Sequence, residues 1–389
     1  MVEGRQVRIA VVGVGSMGAV HAKELALANI PRATLAAVCD TDPEALARFP
    51  DVPRFADTRA LYASGLADAV LIATPHYDHT PLAIEALAAG VHVLTEKPLA
   101  VHKADCLRML AAYEARPQAS QIFAEMFNQR TDPRFLKLRA LIQDGELGTL
   151  RRMNWIITDW FRTEAYYRSG GWRATWRGEG GGALLNQCPH QLDLWQWLFG
   201  MPARVHAFCG FGRFHDIEVE DQVTAYLEYE NGASGVFVTT TAEAPGTNRL
   251  EVVGDLGKVV LTSAGLELTR NQASMMDFVK NSPDRYTRPA SSTVNIELGP
   301  GDRQHNAIMT NFVNAILDGE ALIAPAVEGI ASVELSNAMI YSGLSKQTVE
   351  LPLDSALYAA ALERLVQTSR YVKPEVQRSN PEDIAKSFR

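Results

Sequence analysis

Gly13-Val14-Gly15-Ser16-Met17-Gly18 carries three glycines at the spacing of a phosphate-binding turn. In such a turn the first glycine permits a tight bend and the second lets the backbone approach a pyrophosphate. The third lets a helix pack closely on a strand. The helix N-terminus then presents N–H groups and a positive dipole end to the anion, so Ser16 and Met17 join the glycines as cofactor-binding positions. The motif alone is weak. Here it lies between an apolar run, Val7–Val12, and a helix-like stretch, Met17–Ala28, which is the context the reading requires. A second apolar run, Thr34–Cys39, closes on Asp40. An acid at that place accepts hydrogen bonds from adenosine ribose hydroxyls. Asp42 is nearby and no Arg or Lys stands between Asp40 and Arg48, so a 2′-phosphate would meet negative charge. NAD is therefore the expected cofactor, and NADP is disfavoured.

Two further segments could carry chemistry. Glu96-Lys97-Pro98 follows the run Val91–Leu94. The end of a parallel strand faces the ligand crevice, and a lysine there can hold a substrate hydroxyl and shift its pKa by desolvation. Taken singly, such a lysine is most often a solvated surface charge. In the segment from Gly180 to Asp193, the residues Asn186, His190 and Asp193 share one face if the whole stretch is helical. Pro189 suits a first helical turn and leaves the regularity at Asn186 open. His190 near a cleft can serve as a general base at neutral pH; a lone histidine is more often structural.

Just before that segment, Asp159–Arg168 and Gly170–Arg177 interleave aromatic rings with arginines. Rings cover the apolar faces of a sugar and arginines donate to its hydroxyls, which makes Arg162, Trp172 and Arg173 expected substrate contacts. An interface or loop-packing cluster would have the same composition. His76-x-x-His79 has the look of a metal pair, but no Cys or acid stands at ligand spacing and no metal is expected.

These residues need a scaffold. Apolar runs at Val7–Val12, Thr34–Cys39, Ala69–Ala73, Val91–Leu94 and Gln121–Met126 alternate with helix-like stretches such as Met17–Ala28, Pro81–Ala89 and Lys103–Glu114. That alternation predicts an α/β Rossmann domain, a doubly wound parallel sheet, over residues 1–127. The pattern then changes. Asp132-Pro133 opens a helix over Arg134–Gln143. Longer runs at Arg151–Asp159, Ala203–Phe211, Val219–Tyr229, Ala233–Thr241 and Arg249–Val253, with short turns between several, predict a large, mostly antiparallel sheet. Helical patterns return at His305–Leu317 and Ala326–Ser345. Residues 128–371 are thus expected to form an α+β substrate-binding domain, and 372–389 a polar tail.

The chain has 389 residues, a formal charge of -8 and 47% hydrophobic residues. The acidic balance and the lack of a basic run argue against nucleic acid. No apolar run approaches a membrane span, and Met1–Arg8 is too polar for a signal peptide. Cys39, Cys106, Cys188 and Cys209 form no Cys-x-x-Cys pair, which fits a reducing compartment and a cytoplasmic location.

Taken together, the motifs resemble the Gfo/Idh/MocA oxidoreductase family, which includes glucose–fructose oxidoreductase and inositol dehydrogenases. The resemblance rests on the Gly13–Gly18 turn, on Ala73-Thr74-Pro75 with His79, and on the run from Ala89 to Leu99 that contains Glu96-Lys97-Pro98. It continues through Asn128-Gln129-Arg130, Gly145–Gly148, the Gly180–Asp193 segment, Asn311–Ile316 and Val349–Pro352. It implies an open-faced sheet that receives the substrate and often makes the interface of a homodimer or homotetramer. It implies that Lys97 is the active-site lysine and His190 the catalytic histidine. Thr74, Pro75, His76, His79 and Glu96 would lie along the nicotinamide side of the cofactor, and Asn128 near both nicotinamide and substrate. One position departs from the family: inositol dehydrogenases usually carry aspartate where this chain has Asn186, which can orient His190 but cannot stabilise an imidazolium by charge. The expected activity is NAD-dependent oxidation of a secondary hydroxyl of a sugar, sugar derivative or cyclitol, with His190 taking the proton, Lys97 holding the oxygen and Asn186 orienting the imidazole. The alternatives are a redox-elimination glycosidase using the same residues, and a dinucleotide-responsive regulator without turnover.

Overall fold

The computed structural model describes residues 5–301 and 304–373. Most of the expected tail, 374–389, lies outside the described residues. Six parallel strands, β1 (Val7–Val12), β2 (Ala33–Cys39), β3 (Arg54–Phe55), β4 (Ala69–Ile72), β5 (His92–Thr95) and β6 (Phe123–Glu125), form a sheet in the order β3-β2-β1-β4-β5-β6. The order reverses between β1 and β4, which opens a crevice at the carboxyl ends of these strands. β1 shows why its sequence is apolar throughout. Val7, Ile9 and Val11 enter one hydrophobic cluster with Ala19, Ala22 and Leu25, while Ala10 and Val12 enter another with Ala83 and Leu87. Both faces are covered, so no polar alternation survives.

A nine-stranded sheet follows: β7 (Leu150–Ile157), β8 (Arg204–Phe211), β9 (Glu220–Glu228), β10 (Ser234–Thr240), β11 (Asn248–Gly254), β12 (Gly257–Thr262), β13 (Gly265–Asn271), β14 (Ser291–Ile296) and β15 (Val349–Glu350). Its order is β14-β13-β12-β11-β7-β10-β9-β8-β15. β7 runs parallel to β10, and every other neighbouring pair is antiparallel. One face, with Trp155, Val223, Ala225, Leu227, Phe237 and Leu250, buries against the helices Pro189–Phe199 and Ala326–Ser345. The opposite face keeps Ile156, Phe208 and Tyr226 exposed, Phe208 at 71%. This is the alternation of a sheet with one side on the core.

The cores do not divide at residue 127, as the linear reading expected. Helix Gln304–Asp318 sends Ile308, Met309, Phe312 and Val313 into the same cluster as β1. Helix Ala326–Ser345 starts in the first domain, with Ala326 and Val333, and ends in the second, with Leu335, Ala338, Met339 and Ile340. Polar contacts tie that junction. Lys103 Nζ reaches Glu334 Oε1 at 2.6 Å and donates to Leu353 O, and Asn337 accepts from the Lys103 N–H. Residues 304–333 thus return to the nucleotide-binding half, which a reading by sequence order could not anticipate.

Candidate active site

The glycine turn joins β1 to helix Ser16–Ala26. Gly13 has φ +82°, and a Cβ on Gly18 would stand 1.8 Å from the Gly13 carbonyl oxygen, so the turn closes only with glycine at both places. Nothing lies within 4 Å of where a Gly15 Cβ would be, which leaves the backbone there open to a ligand. Asp40, at the end of β2, accepts from the Val14 N–H at 2.8 Å through Oδ2 and from the Asp42 N–H at 2.9 Å through Oδ1. Each carboxylate oxygen has a further lone pair for a ribose hydroxyl. Arg48 donates to the carbonyls of Val14 and Gly15, a contact the linear spacing did not bring out.

Beyond β4, Thr74 and Pro75 lead into helix His76–Ala88. Both nitrogens of His79 and one of His76 are engaged by backbone carbonyls. His76 Nδ1 lies 3.0 Å from Glu179 O, and His79 faces Pro98 O at 2.8 Å and Thr74 O at 3.0 Å. Burial holds both pKa values below the usual 6.5. His79 therefore ties the Thr74 loop to the Lys97-Pro98 loop, whose peptide bond is cis.

Glu96 sits at the end of β5 with its carboxylate turned inward: Oε1 meets His21 Nε2 at 2.7 Å and Oε2 accepts the Lys97 N–H at 3.2 Å. Burial acts to raise this carboxyl, but the hydrogen bond and charge of His21, with His305 and Lys97 beyond, hold it at about 2. His21 was not singled out from sequence; the available signal was its place three residues after Gly18. Lys97 Nζ donates to the Asn186 carbonyl at 3.0 Å. Burial lowers its pKa against the pull of Glu96, and Arg173 and Arg162 lower it further.

The Gly180–Asp193 segment is not one helix. A π turn at Ala183–Gln187 precedes helix Pro189–Phe199, which begins after Cys188 with proline in its first turn. The buried Glu220 carboxylate clamps the π turn by accepting the Gly182 N–H at 2.9 Å and the Leu184 N–H at 3.0 Å. The break separates the three residues expected on one face. Asn186 donates its amide to Glu179 Oε1 and makes no hydrogen bond to His190, so it does not orient the imidazole. Asp193 forms a two-pronged ion pair with Arg130, at 2.8 and 2.6 Å, buried inside the fold. His190 alone of the three remains with an unsatisfied group: its Nδ1 is buried without a partner. Burial first, and Lys97 second, push its pKa well below 6.5, which leaves the ring neutral at pH 7.

A cleft of about 740 Å³ opens between the two domains, bordered by Met17, Asn128, Trp160, Arg162, Gln191 and His305 among others. Lys97, His190, Trp172 and Arg173 do not line it; Lys97 is joined to Trp172 and Arg173 through Asn186, Glu179 and His76. Buried polar atoms without a protein partner gather around both places: Thr74 Oγ1, Asn128 Oδ1, Gln187 Oε1, His190 Nδ1 and Gln191 Oε1. Such atoms are normally paired, and the hydroxyl and amide groups of a dinucleotide and a polyol are fitting partners. With the open Gly15 backbone and the Asp40 carboxylate, the residues present fit NAD.

Two family models match the chain. "Oxidoreductase family, NAD-binding Rossmann fold" covers residues 7–123 and "GFO/IDH/MocA C-terminal domain" covers residues 135–260. The chain belongs to the Gfo/Idh/MocA oxidoreductase family. Among curated members, an inositol 2-dehydrogenase of Acidothermus cellulolyticus is 30% identical over 54% of this chain and 59% of its own length. The scyllo-inositol 2-dehydrogenase (NAD(+)) of Bacillus subtilis is 26% identical over 90% of this chain and 98% of its own. The crystal structure of the WlbA dehydrogenase from Bordetella pertussis, in complex with NADH and UDP-GlcNAcA, superposes with a TM-score of 0.74 at 28% identity, covering 90% of this chain and all of that one. This Gfo/Idh/MocA member is thus an oxidoreductase acting on CH–OH groups, and NAD is its cofactor.

Proposed function

We propose that this enzyme oxidises a secondary hydroxyl of a sugar, sugar derivative or cyclitol to a ketone, or runs the reverse reduction. The observation that carries this is a buried, neutral His190 that feels the charge of the half-buried Lys97 beside the nucleotide-binding crevice. NAD, which the Gly13–Gly18 turn and Asp40 would hold, would supply the hydride acceptor. His190 accepts the hydroxyl proton as the C–H bond breaks and the C=O bond forms. The Lys97 ammonium donates to the substrate oxygen and stabilises it in both states. Its own carbonyl contact at Asn186 holds it in place. Asn128 lies on the cleft wall and serves nicotinamide and substrate; Arg162, Trp172 and Arg173 serve the substrate. The names of the relatives, inositol dehydrogenases among them, support the substrate class.

The test is NADH absorbance with purified protein, NAD and a panel of inositols, aldoses, sugar acids and glycosides, repeated with NADP. NADH formed with one class establishes the reaction. Binding of NAD with no turnover on any of them, in either direction, refutes it. We propose in addition that a second copy covers the open sheet face where Phe208 and Tyr226 stand, giving a homodimer or homotetramer. The four free cysteines support a reducing, cytoplasmic setting.

A further inference from the structure

Arg173 is held in an unusual way. Its guanidinium carbon lies 4.4 Å from the centre of the Trp172 ring and 4.6 Å from that of Tyr166. Its Nη1 donates to the Tyr166 hydroxyl at 2.8 Å. Among the described residues no carboxylate forms an ion pair with it. Glu179, the acid that acts on it through space, has both oxygens engaged, one by the Ala174 N–H at 2.7 Å and the other by the Asn186 amide. Tyr166 also accepts from Gln187 Nε2 at 2.9 Å, so two donors occupy its oxygen and its own proton is left to donate. Arg162 lies over the same ring at 4.9 Å. Gln187 Oε1, 6% exposed as a residue, is buried with no partner. Rings cover the guanidinium, one edge is fixed, and the remaining N–H groups lie in one plane. That plane matches the two oxygens of a carboxylate.

We infer that the substrate is a sugar acid whose carboxylate is held by Arg173 and the Tyr166 hydroxyl, while Gln187 Oε1 accepts from a neighbouring substrate hydroxyl. The inference rests on the dehydrogenase reading and names its substrate class. A phosphate group also suits arginine, and the glucose 6-phosphate arm of the experiment separates the two.

The experiment compares kcat/KM for NADH formation with D-glucuronate and D-galacturonate against D-glucose, D-galactose and glucose 6-phosphate. Loss of a buried polar partner is a strong discriminator, so the uronates should exceed the neutral sugars by roughly 100-fold or more. Arg173→Gln should raise the KM for the uronates at least about tenfold, change kcat less, and erase the preference; Arg173→Lys should restore part of it. Tyr166→Phe, which keeps the ring, should move KM in the same direction and serves if Arg173→Gln fails to fold. Equal or better use of neutral sugars overturns the inference and leaves the dehydrogenase standing, as does a preference for the phosphate. A preference that survives both Arg173→Gln and Tyr166→Phe also overturns it. No NADH from any sugar, with NAD binding intact, removes the dehydrogenase reading and the inference with it.

Discussion

At the scale of single residues, the proposed chemistry rests on two groups whose pKa values are shifted chiefly by burial. His190→Ala or Lys97→Ala should lower kcat by about 100- to 10,000-fold, the usual worth of acid–base help, with the NAD dissociation constant nearly unchanged. Steady-state kinetics and a fluorescence titration of NAD check both halves. The pH profile gives a second test. The His190 pKa is below 6.5, so the ring stays able to accept a proton as pH falls from 8 to 6.5. The acid limb of kcat/KM for oxidation should then appear only below 6.5. The Lys97 pKa lies below its usual 10.5, so any alkaline limb should begin short of that value. An acid limb centred above pH 7 would contradict this assignment. The glycine turn and Asp40 were legible because residue type and spacing are themselves the signal, whereas Lys97 and His190 were singled out through the family resemblance, since a lone lysine or histidine carries no such signal. His21 and Arg48 were not, because each acts through a partner far along the chain, Glu96 in one case and the Val14 carbonyl in the other.

At the scale of elements, the π turn decides what faces what. Three residues at helical spacing predict one face, but that prediction assumes unbroken helix. Glu220 draws the N–H groups of Gly182 and Leu184 onto its carboxylate, and the extra-wide turn sends Asn186 to Glu179 and Asp193 to Arg130. The clamp comes from β9, and no local pattern in residues 180–193 announces it. A Cβ on Gly182 would stand 2.1 Å from the Glu220 carbonyl oxygen. Gly182→Ala should therefore shift the turn, cost about 1–3 kcal/mol in a urea melt, and reduce kcat while NAD affinity holds. The strands show the same limit on a reading by pattern. β1, β2, β4 and β5 stood out as apolar runs, and β6 lay within one. The two-residue β3 was too short to read, and β14, a largely exposed edge strand of sequence Ser-Ser-Thr-Val-Asn-Ile, has no buried face to give it alternation.

At the scale of the whole molecule, the two halves are joined by more than a linker. Phe312 is 1% exposed within the core of the nucleotide-binding half. Phe312→Ala should cost about 3–5 kcal/mol, and because helix Ala326–Ser345 belongs to both cores, the loss should appear as a downward shift of one common thermal transition rather than of a separate one. Scanning calorimetry with and without NAD distinguishes these. The exposed sheet face gives a prediction at the same scale: Phe208→Asp with Tyr226→Asp should reduce the molar mass measured by light scattering to that of one chain while the fold by circular dichroism is retained. An unchanged mass for a native enzyme larger than one chain would place the interface elsewhere.

The return of helix Gln304–Asp318 to the first sheet also has a consequence on the ribosome. β1 to β6 are complete by Glu125, yet Ile308, Met309, Phe312 and Val313 are made about 180 residues later. At the usual pace of about 5–20 residues per second, one flank of the first sheet waits roughly ten to forty seconds for its cover. Through that interval the nascent chain displays apolar surface of the kind that chaperones bind and that drives aggregation. A fragment ending near residue 127, which sequence order alone would offer as a domain, would stay in that condition permanently.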